Sequence, residues 1–543
     1  MKKIVPAVLL LGLLAFLPHA VYSYRDYNVL LITIDTLRSD FLSCYNPKAS
    51  PTPNIDRLAK RGVAFKKAFT LIPITLPAHA AMLTSHPPHE TNVFDNGHFF
   101  LHKTPLLSEI LAKKNFKTAA FVSMGVLKSN FGLKHGFDTY EERFRGLGRW
   151  YCIASEMNAQ AIPWIEKHRD ERFFGWIHYS DPHEPYIPPD APPDTEVWVN
   201  GKSAARVCMA KKERNEIEFE ARPGENTVEF RALNSEAESR TFVDRLVVRP
   251  HNGVELVFDE HWKDRTRGAG AAGRFYSNGY ASIKVNYGNH NPGRLLLSFE
   301  GRIQQGFQTI YKNYRAEVQY VDQYIGKLWD RLEELGLQDK TIVILTADHG
   351  ESLGEHNRIG HLYPLTREIT QVPLIFYYPH LGRSGESDRL VNHLDIGPTI
   401  LDLLHIKTDT KMQGQSLKRL VSWSPVDWLF ASRFNRQRSF LYTFAPGGRV
   451  NSYAVIEGDV KMIQTRRGEE WEWEAYDLEK DSTEMTNLFL SDPARTSSQP
   501  FSSLRPALEA YSKEAQDAHS KRKNPELSEE EKGMLRDLGY LTP

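Results

Sequence analysis

The sequence predicts an α/β protein: a central sheet layered by helices, an inserted β-sandwich, and a small C-terminal sheet subdomain. Three observations carry this. Continuous apolar runs end in carboxylates, as buried parallel strands do when they close on a site. Helical patterns separate those runs. One internal stretch switches to short alternating segments divided by turn signals.

A chain of 543 residues is long enough for one large domain or several smaller ones. Its 68 Lys+Arg balance 68 Asp+Glu, and 41% of its residues are apolar. That composition excludes a disordered chain, a multi-span membrane protein and a strongly basic nucleic-acid binder. With three cysteines and no CxxC, neither a disulfide scaffold nor a cysteine zinc finger is expected.

From the start, Lys2 and Lys3 precede the apolar run Ile4 to Leu17, then Pro18 and Val21-Tyr22-Ser23. This is a signal-peptide pattern over residues 1–23, too short for a comfortable membrane span, so the protein is expected to be secreted or periplasmic. An uncleaved leader acting as an anchor is the alternative. Next comes Asn28-Val-Leu-Leu-Ile-Thr-Ile-Asp35. A second such run is Lys340-Thr-Ile-Val-Ile-Leu-Thr-Ala-Asp348, followed by His349; a third, Phe173-Phe-Gly-Trp-Ile-His-Tyr, leads into Ser180-Asp-Pro-His-Glu-Pro-Tyr186. Helical patterns cover Asn54 to Arg61, Pro105 to Lys114 and Tyr311 to Leu335. Residues 24–186 and 302–440 are therefore assigned to one main domain. Residues 187–301 hold the alternating segments Thr195-Glu-Val-Trp-Val, Asn215-Glu-Ile-Glu-Phe-Glu, Asn226-Thr-Val-Glu-Phe-Arg and Arg294-Leu-Leu-Leu-Ser-Phe, and are assigned to the insert. Gly268 to Gly273 reads as a loop. In 441–543, Tyr453-Ala-Val-Ile and Val460-Lys-Met-Ile predict a small sheet, and Leu527 to Leu541 a closing helix with a Ser528/Glu531 capping box.

The polar residues after the apolar runs form the candidate site. Asp35 alone reads equally as a metal ligand or a helix cap. Asp348 beside His349 suits a divalent cation, since a hard carboxylate and an imidazole are both metal donors. Asp181, His183, His356 and His361 are each unremarkable alone, but their occurrence with three strand ends points to a metal hydrolase.

These residues resemble the sulfatase branch of the alkaline phosphatase superfamily over nearly everything outside the insert. Asn28 to Asp35 with Asp56-Arg-Leu-Ala is similar to the family's opening, and Thr346-Ala-Asp-His-Gly-Glu-Ser-Leu-Gly-Glu-His356 to its second metal segment. Gln371-Val-Pro-Leu-Ile, His393-Leu-Asp-Ile-Gly-Pro-Thr-Ile-Leu, Tyr476-Asp-Leu-Glu-Lys-Asp and Leu535-Arg-Asp-Leu-Gly-Tyr follow in the family's order. The resemblance implies an alkaline-phosphatase-like sheet and one or two divalent metal ions (Ca, Mn or Zn). It also implies an anionic ester substrate, glycan-linked in many members, with no nucleic-acid partner.

The chain also departs from the family. Where sulfatases carry the Cys or Ser that becomes formylglycine, in C/S-x-P-x-R, this sequence has Thr75-Leu-Pro-Ala-His79. None of Cys44, Cys152 and Cys208 precedes x-Pro-x-Arg. Thr36 replaces a second acidic residue, and Phe121-Val-Ser-Met-Gly lacks the expected Lys and His. A formylglycine diol expels sulfate by elimination; a threonine ester cannot. A phosphothreonine can be hydrolysed by in-line attack at phosphorus, so Thr75 favours phosphate mono- or diesters or phosphonates. The expected metal set is Asp35, Thr75, Asp348 and His349, with Asp181, His183, His361 and His356 as candidates for a second ion. His79, His183 and His361 are candidate catalytic groups. Asn96, 21 residues after Thr75, falls where the nucleotide pyrophosphatase/phosphodiesterase branch of the superfamily places an oxyanion-binding Asn, which the resemblance implies as its role in substrate binding, though it also reads as a turn residue. Two alternatives stay open: a sulfuric ester hydrolase lacking formylglycine, and a glycan-binding pseudoenzyme using the insert.

Overall fold

In the computed structural model the described residues are 27–144, 150–189, 195–207, 214–233, 240–250, 257–258, 280–286, 293–304, 307–362, 364–380, 382–422, 438–444, 450–522, 525–538 and 540. The expected leader and the loop 268–273 lie outside them. Among the described residues no helix is long and apolar enough to cross a membrane.

The first five strands are β1 (Asn28–Ile34), β2 (Val63–Phe69), β3 (Lys117–Phe121), β4 (Thr139–Glu141) and β5 (Phe173–Tyr179). Eight more lie among the described residues of 195–304: β6 (Thr195–Val199), β7 (Lys202–Val207), β8 (Arg214–Ala221), β9 (Glu225–Ala232), β10 (Arg240–Pro250), β11 (Val257–Phe258), β12 (Tyr280–Asn286) and β13 (Gly293–Gln304). They make two antiparallel sheets, of three and five strands, in the orders β10-β13-β8 and β11-β12-β9-β6-β7.

The chain then returns through β14 (Thr341–Ala347), a short hairpin of β15 (Ser352–Leu353) and β16 (Ile359–Gly360), β17 (Leu374–Tyr377) and β18 (Gly385–Asn392). The central sheet has eight strands in the order β18-β2-β17-β14-β1-β5-β3-β4. Its pairings are parallel except those made by β17. Strands β1, β14 and β5 are buried at every residue, which is why they read as unbroken apolar runs rather than alternating ones. In register, Ile34 pairs with both Ala347 and Tyr179, so Asp35, Asp348 and Ser180 leave the sheet at one level.

The helix Phe307–Glu334 packs on the sheet through Ile310, Tyr314, Val318, Val321, Ile325 and Leu328, an i, i+3, i+4 stripe of the kind that buries one helix face. It starts four residues before the expected Tyr311. The Asp322 carboxylate on it accepts the Ile55 backbone N–H at 2.8 Å, closing the first turn of the helix Pro53–Arg61. The expected helix over 105–114 is shorter, Leu107–Ala112.

The last four strands, β19 (Ser439–Phe444), β20 (Val450–Glu457), β21 (Val460–Arg467) and β22 (Glu470–Asp477), form an antiparallel sheet. One apolar cluster joins Tyr442, Tyr453, Leu504 and Leu508 of this region to Ile72, Ile74 and Phe94 beside the expected nucleophile. The closing helix spans Glu529–Asp537, with Ser528 Oγ accepting the Glu531 N–H at 3.2 Å. It stops short of the expected Leu541, and a turn takes over, with the Tyr540 N–H bonded to the Leu535 carbonyl at 2.7 Å.

Candidate active site

Thr75 opens the helix Thr75–Thr84, every residue of which is buried. Its hydroxyl therefore sits at a helix N-terminus, where free N–H groups favour an anion. Asn96 Oδ1 accepts the Leu76 N–H at 2.9 Å, while Asn96 Nδ2 is buried without a hydrogen-bond partner. The amide expected to bind an oxyanion is thus tethered one residue from Thr75 with its donor unused. Gly97 follows at φ 81°, where a Cβ would stand 2.6 Å from Leu535 Cδ1, so the closing helix packs against this turn because the residue is glycine.

Asp35 and Asp348 face each other across the ends of β1 and β14. Asp348 Oδ1 accepts N–H groups from Thr36 at 3.2 Å and His349 at 2.8 Å. Thr36 has φ 55°, a strained conformation for a β-branched residue. It is held there by Tyr314, whose hydroxyl donates to the Thr36 carbonyl at 2.7 Å and accepts the Arg38 N–H at 2.9 Å. Asp348 Oδ2 and both Asp35 oxygens are buried without hydrogen-bond partners. His349 Nδ1 donates to the Gly350 carbonyl at 3.0 Å, leaving the Nε2 lone pair directed inward. That nitrogen lies 3.4 Å from Asp348 Oδ2, 3.7 Å from Asp35 Oδ1 and 3.5 Å from Thr75 Oγ1.

Burial and the charge of Asp35 push the Asp348 carboxyl well above its usual range. Burial alone would raise Asp35 too, but His183, His178 and His349 outweigh it and hold Asp35 below the usual range. Two buried carboxylates with three unpaired oxygens fit a divalent cation, since buried charge without a counter-charge is strongly unfavourable. Asp35, Asp348 and His349 offer donor atoms that all lie within 4.8 Å of one another, and so do His79, His178 and Asp348.

His79 lies behind the nucleophile. Trp176 Nε1 donates to Thr33 Oγ1 at 3.0 Å, Thr33 to His79 Nε2 at 3.0 Å, and His79 Nδ1 to the Thr75 carbonyl at 2.8 Å. Burial holds this imidazole well below its usual pKa. Both of its nitrogens are engaged, one by the Thr75 carbonyl and one by Thr33, which leaves neither for the oxyanion role considered for it.

The opposite wall is made of imidazoles. His361 Nδ1 is 3.3 Å from the Glu351 carboxylate and Nε2 is unpaired; burial opposes its charge, but Glu351 raises its pKa above the ordinary value. The His361 ring packs tilted against His349 with ring centroids 4.3 Å apart and lies 5.6 Å from the His183 ring. His183 Nδ1 donates to the Glu184 carbonyl at 2.9 Å, and its Nε2 accepts the Tyr540 hydroxyl at 3.1 Å.

Of the four candidates for a second ion, Asp181, His183, His356 and His361, none belongs to either group of converging donors among the described residues, and two have other partners. Asp181 Oδ1 accepts the Ala154 N–H at 2.9 Å, capping the helix Ala154–Lys167; a carboxylate two residues past a strand end serves the next helix instead. His356 has φ 53° and faces Glu368 Oε1 at 3.7 Å, in neither group of converging donors. His178, Glu351 and Tyr540 stand in the site without having been expected there. His178 is a lone polar residue in an apolar run, which otherwise reads as a core histidine. Tyr540 closes the Leu-Arg-Asp-Leu-Gly-Tyr ending, whose likeness to the family was its only signal.

Carboxylates and an imidazole at the ends of parallel strands, facing a hydroxyl on a helix N-terminus, define a hydrolase of alkaline-phosphatase-like fold. The family described as Sulfatase matches residues 27–406, and the chain belongs to that family. Residues 354–510 also match the family described as N-sulphoglucosamine sulphohydrolase, C-terminal. Among curated relatives, the chain is 24% identical over 492 residues to an N-acetylglucosamine-6-O-sulfatase of Bacteroides thetaiotaomicron, covering 85% of this chain and 82% of that protein. It is also 24% identical over 464 residues to a multifunctional alkaline phosphatase superfamily protein of Trinickia caryophylli, covering 74% and 78%. Solved structures with this fold include one in complex with its substrate D-glucosamine-2-N,6-O-disulfate (TM-score 0.62, 19% identity, 91% of this chain and 98% of that one). Another is the phosphonate monoester hydrolase of Agrobacterium radiobacter (TM-score 0.55, 19% identity, 93% and 98%).

Proposed function

We propose that the chain is an exported, metal-dependent hydrolase of phosphate mono- or diesters or phosphonates, with Thr75 as its nucleophile. The observation that carries this is the Thr75 hydroxyl, 3.5 Å from the inward-facing His349 Nε2 and beside buried carboxylates whose oxygens lack partners. Asp35, Asp348 and His349, with Thr75, would hold a divalent ion. When bound, such an ion neutralises developing charge and lowers the pKa of a nearby hydroxyl.

The chain's own residues do the rest. The His79 bond to the Thr75 carbonyl fixes the first helical turn, so the hydroxyl needs no reorientation. His183 Nε2, which accepts the Tyr540 hydroxyl and whose other nitrogen is committed to Glu184, takes up the Thr75 proton. Thr75 Oγ bonds to phosphorus as the P–O bond to the leaving group breaks, and the leaving oxygen takes the proton held on His183 and departs as the alcohol. Water then hydrolyses the phosphothreonine and regenerates the hydroxyl. Asn96 Nδ2 and His361 Nε2, both without partners, donate to the non-bridging oxygens.

The sulfatase names among its relatives favour a second reading, sulfate ester cleavage without formylglycine; a glycan-linked substrate fits either. The test is turnover of paired aryl phosphate, phosphodiester, phosphonate and sulfate esters by wild type and Thr75→Ala. Phosphorus esters should dominate and depend on Thr75. Dominant sulfate turnover that survives the substitution would overturn the proposal, and a metal-free wild type with no turnover would favour a binding protein.

A further inference from the structure

Behind Asn96 lies a group of charged and imidazole side chains that the mechanism above leaves unused. Asp95 and His98 belong to the same turn as Asn96, while His519 and Arg522 come from the end of the helix Phe501–Ser520 and the residues just past it. The turn closes on itself. The Phe94 N–H donates to His98 Nδ1 at 3.1 Å, the His98 N–H to the Asp95 carbonyl at 3.2 Å, and the Asn96 N–H to Asp95 Oδ1 at 2.8 Å. These bonds fix the shape of the turn but not where it stands relative to Thr75.

Its placement comes from the C-terminal region. The helix Phe501–Ser520 buries Phe501, Leu504 and Leu508 in the cluster that holds Ile72, Ile74 and Phe94. His519 stands edge-on to Phe94, with ring centroids 5.1 Å apart. Just past that helix, Arg522 Nε donates to the Asn92 carbonyl at 3.1 Å. Asn92 has φ 65° and is where the chain leaves the short helix Pro88–Thr91, so the bond holds the point from which the turn departs. Arg522 is half-buried, and its Nη2 is enclosed without a hydrogen-bond partner. An arginine kept for stability alone normally has its buried nitrogens paired, because leaving one unpaired is destabilising.

We infer that Arg522 is a positioning residue for the oxyanion site: by holding the Asn92 carbonyl it sets where the turn presents Asn96 to Thr75. This rests on the reading of Asn96 as an oxyanion donor and deepens it. Asn96 has little room to adjust, since its Oδ1 is tied to the Leu76 N–H at 2.9 Å and only Nδ2 is left for a substrate oxygen. A turn that drifts must break that tie or swing the amide away. A donor misplaced by about 1 Å, even by a change far from the chemistry, can cost on the order of 100-fold in rate.

The experiment is a double-mutant cycle. Full-length wild type, Arg522→Met, Asn96→Ala and the double variant are compared on bis(p-nitrophenyl) phosphate, with melting by circular dichroism as the check on folding. Methionine fills the half-buried space without offering a donor. Asn96→Ala should lower kcat by ~10²-fold and Arg522→Met roughly tenfold, each with KM within about twofold of wild type. The double variant should be no slower than Asn96→Ala alone, because Arg522 then has nothing left to position. If Arg522→Met does not fold, Arg522→Ala takes its place in the cycle. Equal losses in the two backgrounds, a change in KM alone, or wild-type kcat in Arg522→Met would overturn the role of Arg522 and leave Asn96 standing. Wild-type kcat in Asn96→Ala would instead remove the reading of Asn96 on which it rests, and a wild type inert toward this ester would remove both.

Discussion

Asp35 and Asp348 stand at the ends of strands buried at every residue, whereas His183, His361 and Tyr540 come from loops and from the turn after the closing helix. On the carboxylate side the backbone decides geometry: register sets Asp35 level with Asp348, and a strained Thr36 pinned by Tyr314 feeds Asp348 Oδ1. On the imidazole side the side chains decide it, through Glu351 on His361 and Tyr540 on His183. Strand ends are rigid and hold charge where it is expensive; loops are replaceable and suit the task of recognising a variable substrate. The two halves should therefore fail differently when broken.

The largest expected effect is at the junction of the two sides. Thr75→Ala should lower kcat by at least ~10³-fold with the circular dichroism spectrum unchanged. Residual turnover near wild type would mean the two walls serve another nucleophile.

Next comes the carboxylate side. A chelator should abolish turnover and lower the melting temperature, because the buried Asp35 and Asp348 then share one site without the cation that stabilises the folded state. Asp348→Asn should partly restore the metal-free melting temperature without restoring activity. Identical melting curves with and without chelator would break the claim that this side is built around an ion.

The imidazole side should fail more gently. Tyr540→Phe should reduce kcat/KM roughly ten- to hundredfold while bound metal, measured by elemental analysis, stays at the wild-type level. Loss of metal in this variant would show that the two walls are not separable.

The smallest effect is a pH dependence behind Asn96. Burial raises the Asp95 carboxyl to about 7, against the pull of the Asn96 N–H and Arg522. A carboxyl raised on folding contributes its stability fully below its unfolded value and loses it as pH rises through the folded one. Between pH 4 and 7 the protein should therefore lose some stability as pH rises, on the order of a few degrees in melting temperature. Asp95→Asn should flatten that slope in thermal scans, and an unchanged slope would assign it to other groups.

Much of the site was legible because the chemistry clusters where apolar runs end. Asp35, Asp348, His349 and Thr75 each follow or open an element whose pattern is local, and Asn96 was placed by its position after Thr75. Asp181 misled because a carboxylate two residues past a strand looks the same whether it binds a cation or caps Ala154. His178 was hidden for a related reason: a strand buried on both faces shows no alternation, so nothing marks which of its side chains points at the site. Tyr540 was hidden by continuity, since a helical pattern through Leu541 gives no sign that the chain turns after Asp537.

By itself the sequence determined the α/β class, the buried strands with their acidic ends, and a threonine where the family's formylglycine precursor would be. These are local properties, written in runs of apolar residues and in single substitutions. Only the tertiary structure decided which histidine faces which carboxylate, that His79 supports Thr75 from behind, and that Tyr540 reaches His183 across the chain. Those pairings depend on sheet register and on Leu535 seated against Gly97, contacts between residues far apart in sequence that no local pattern encodes.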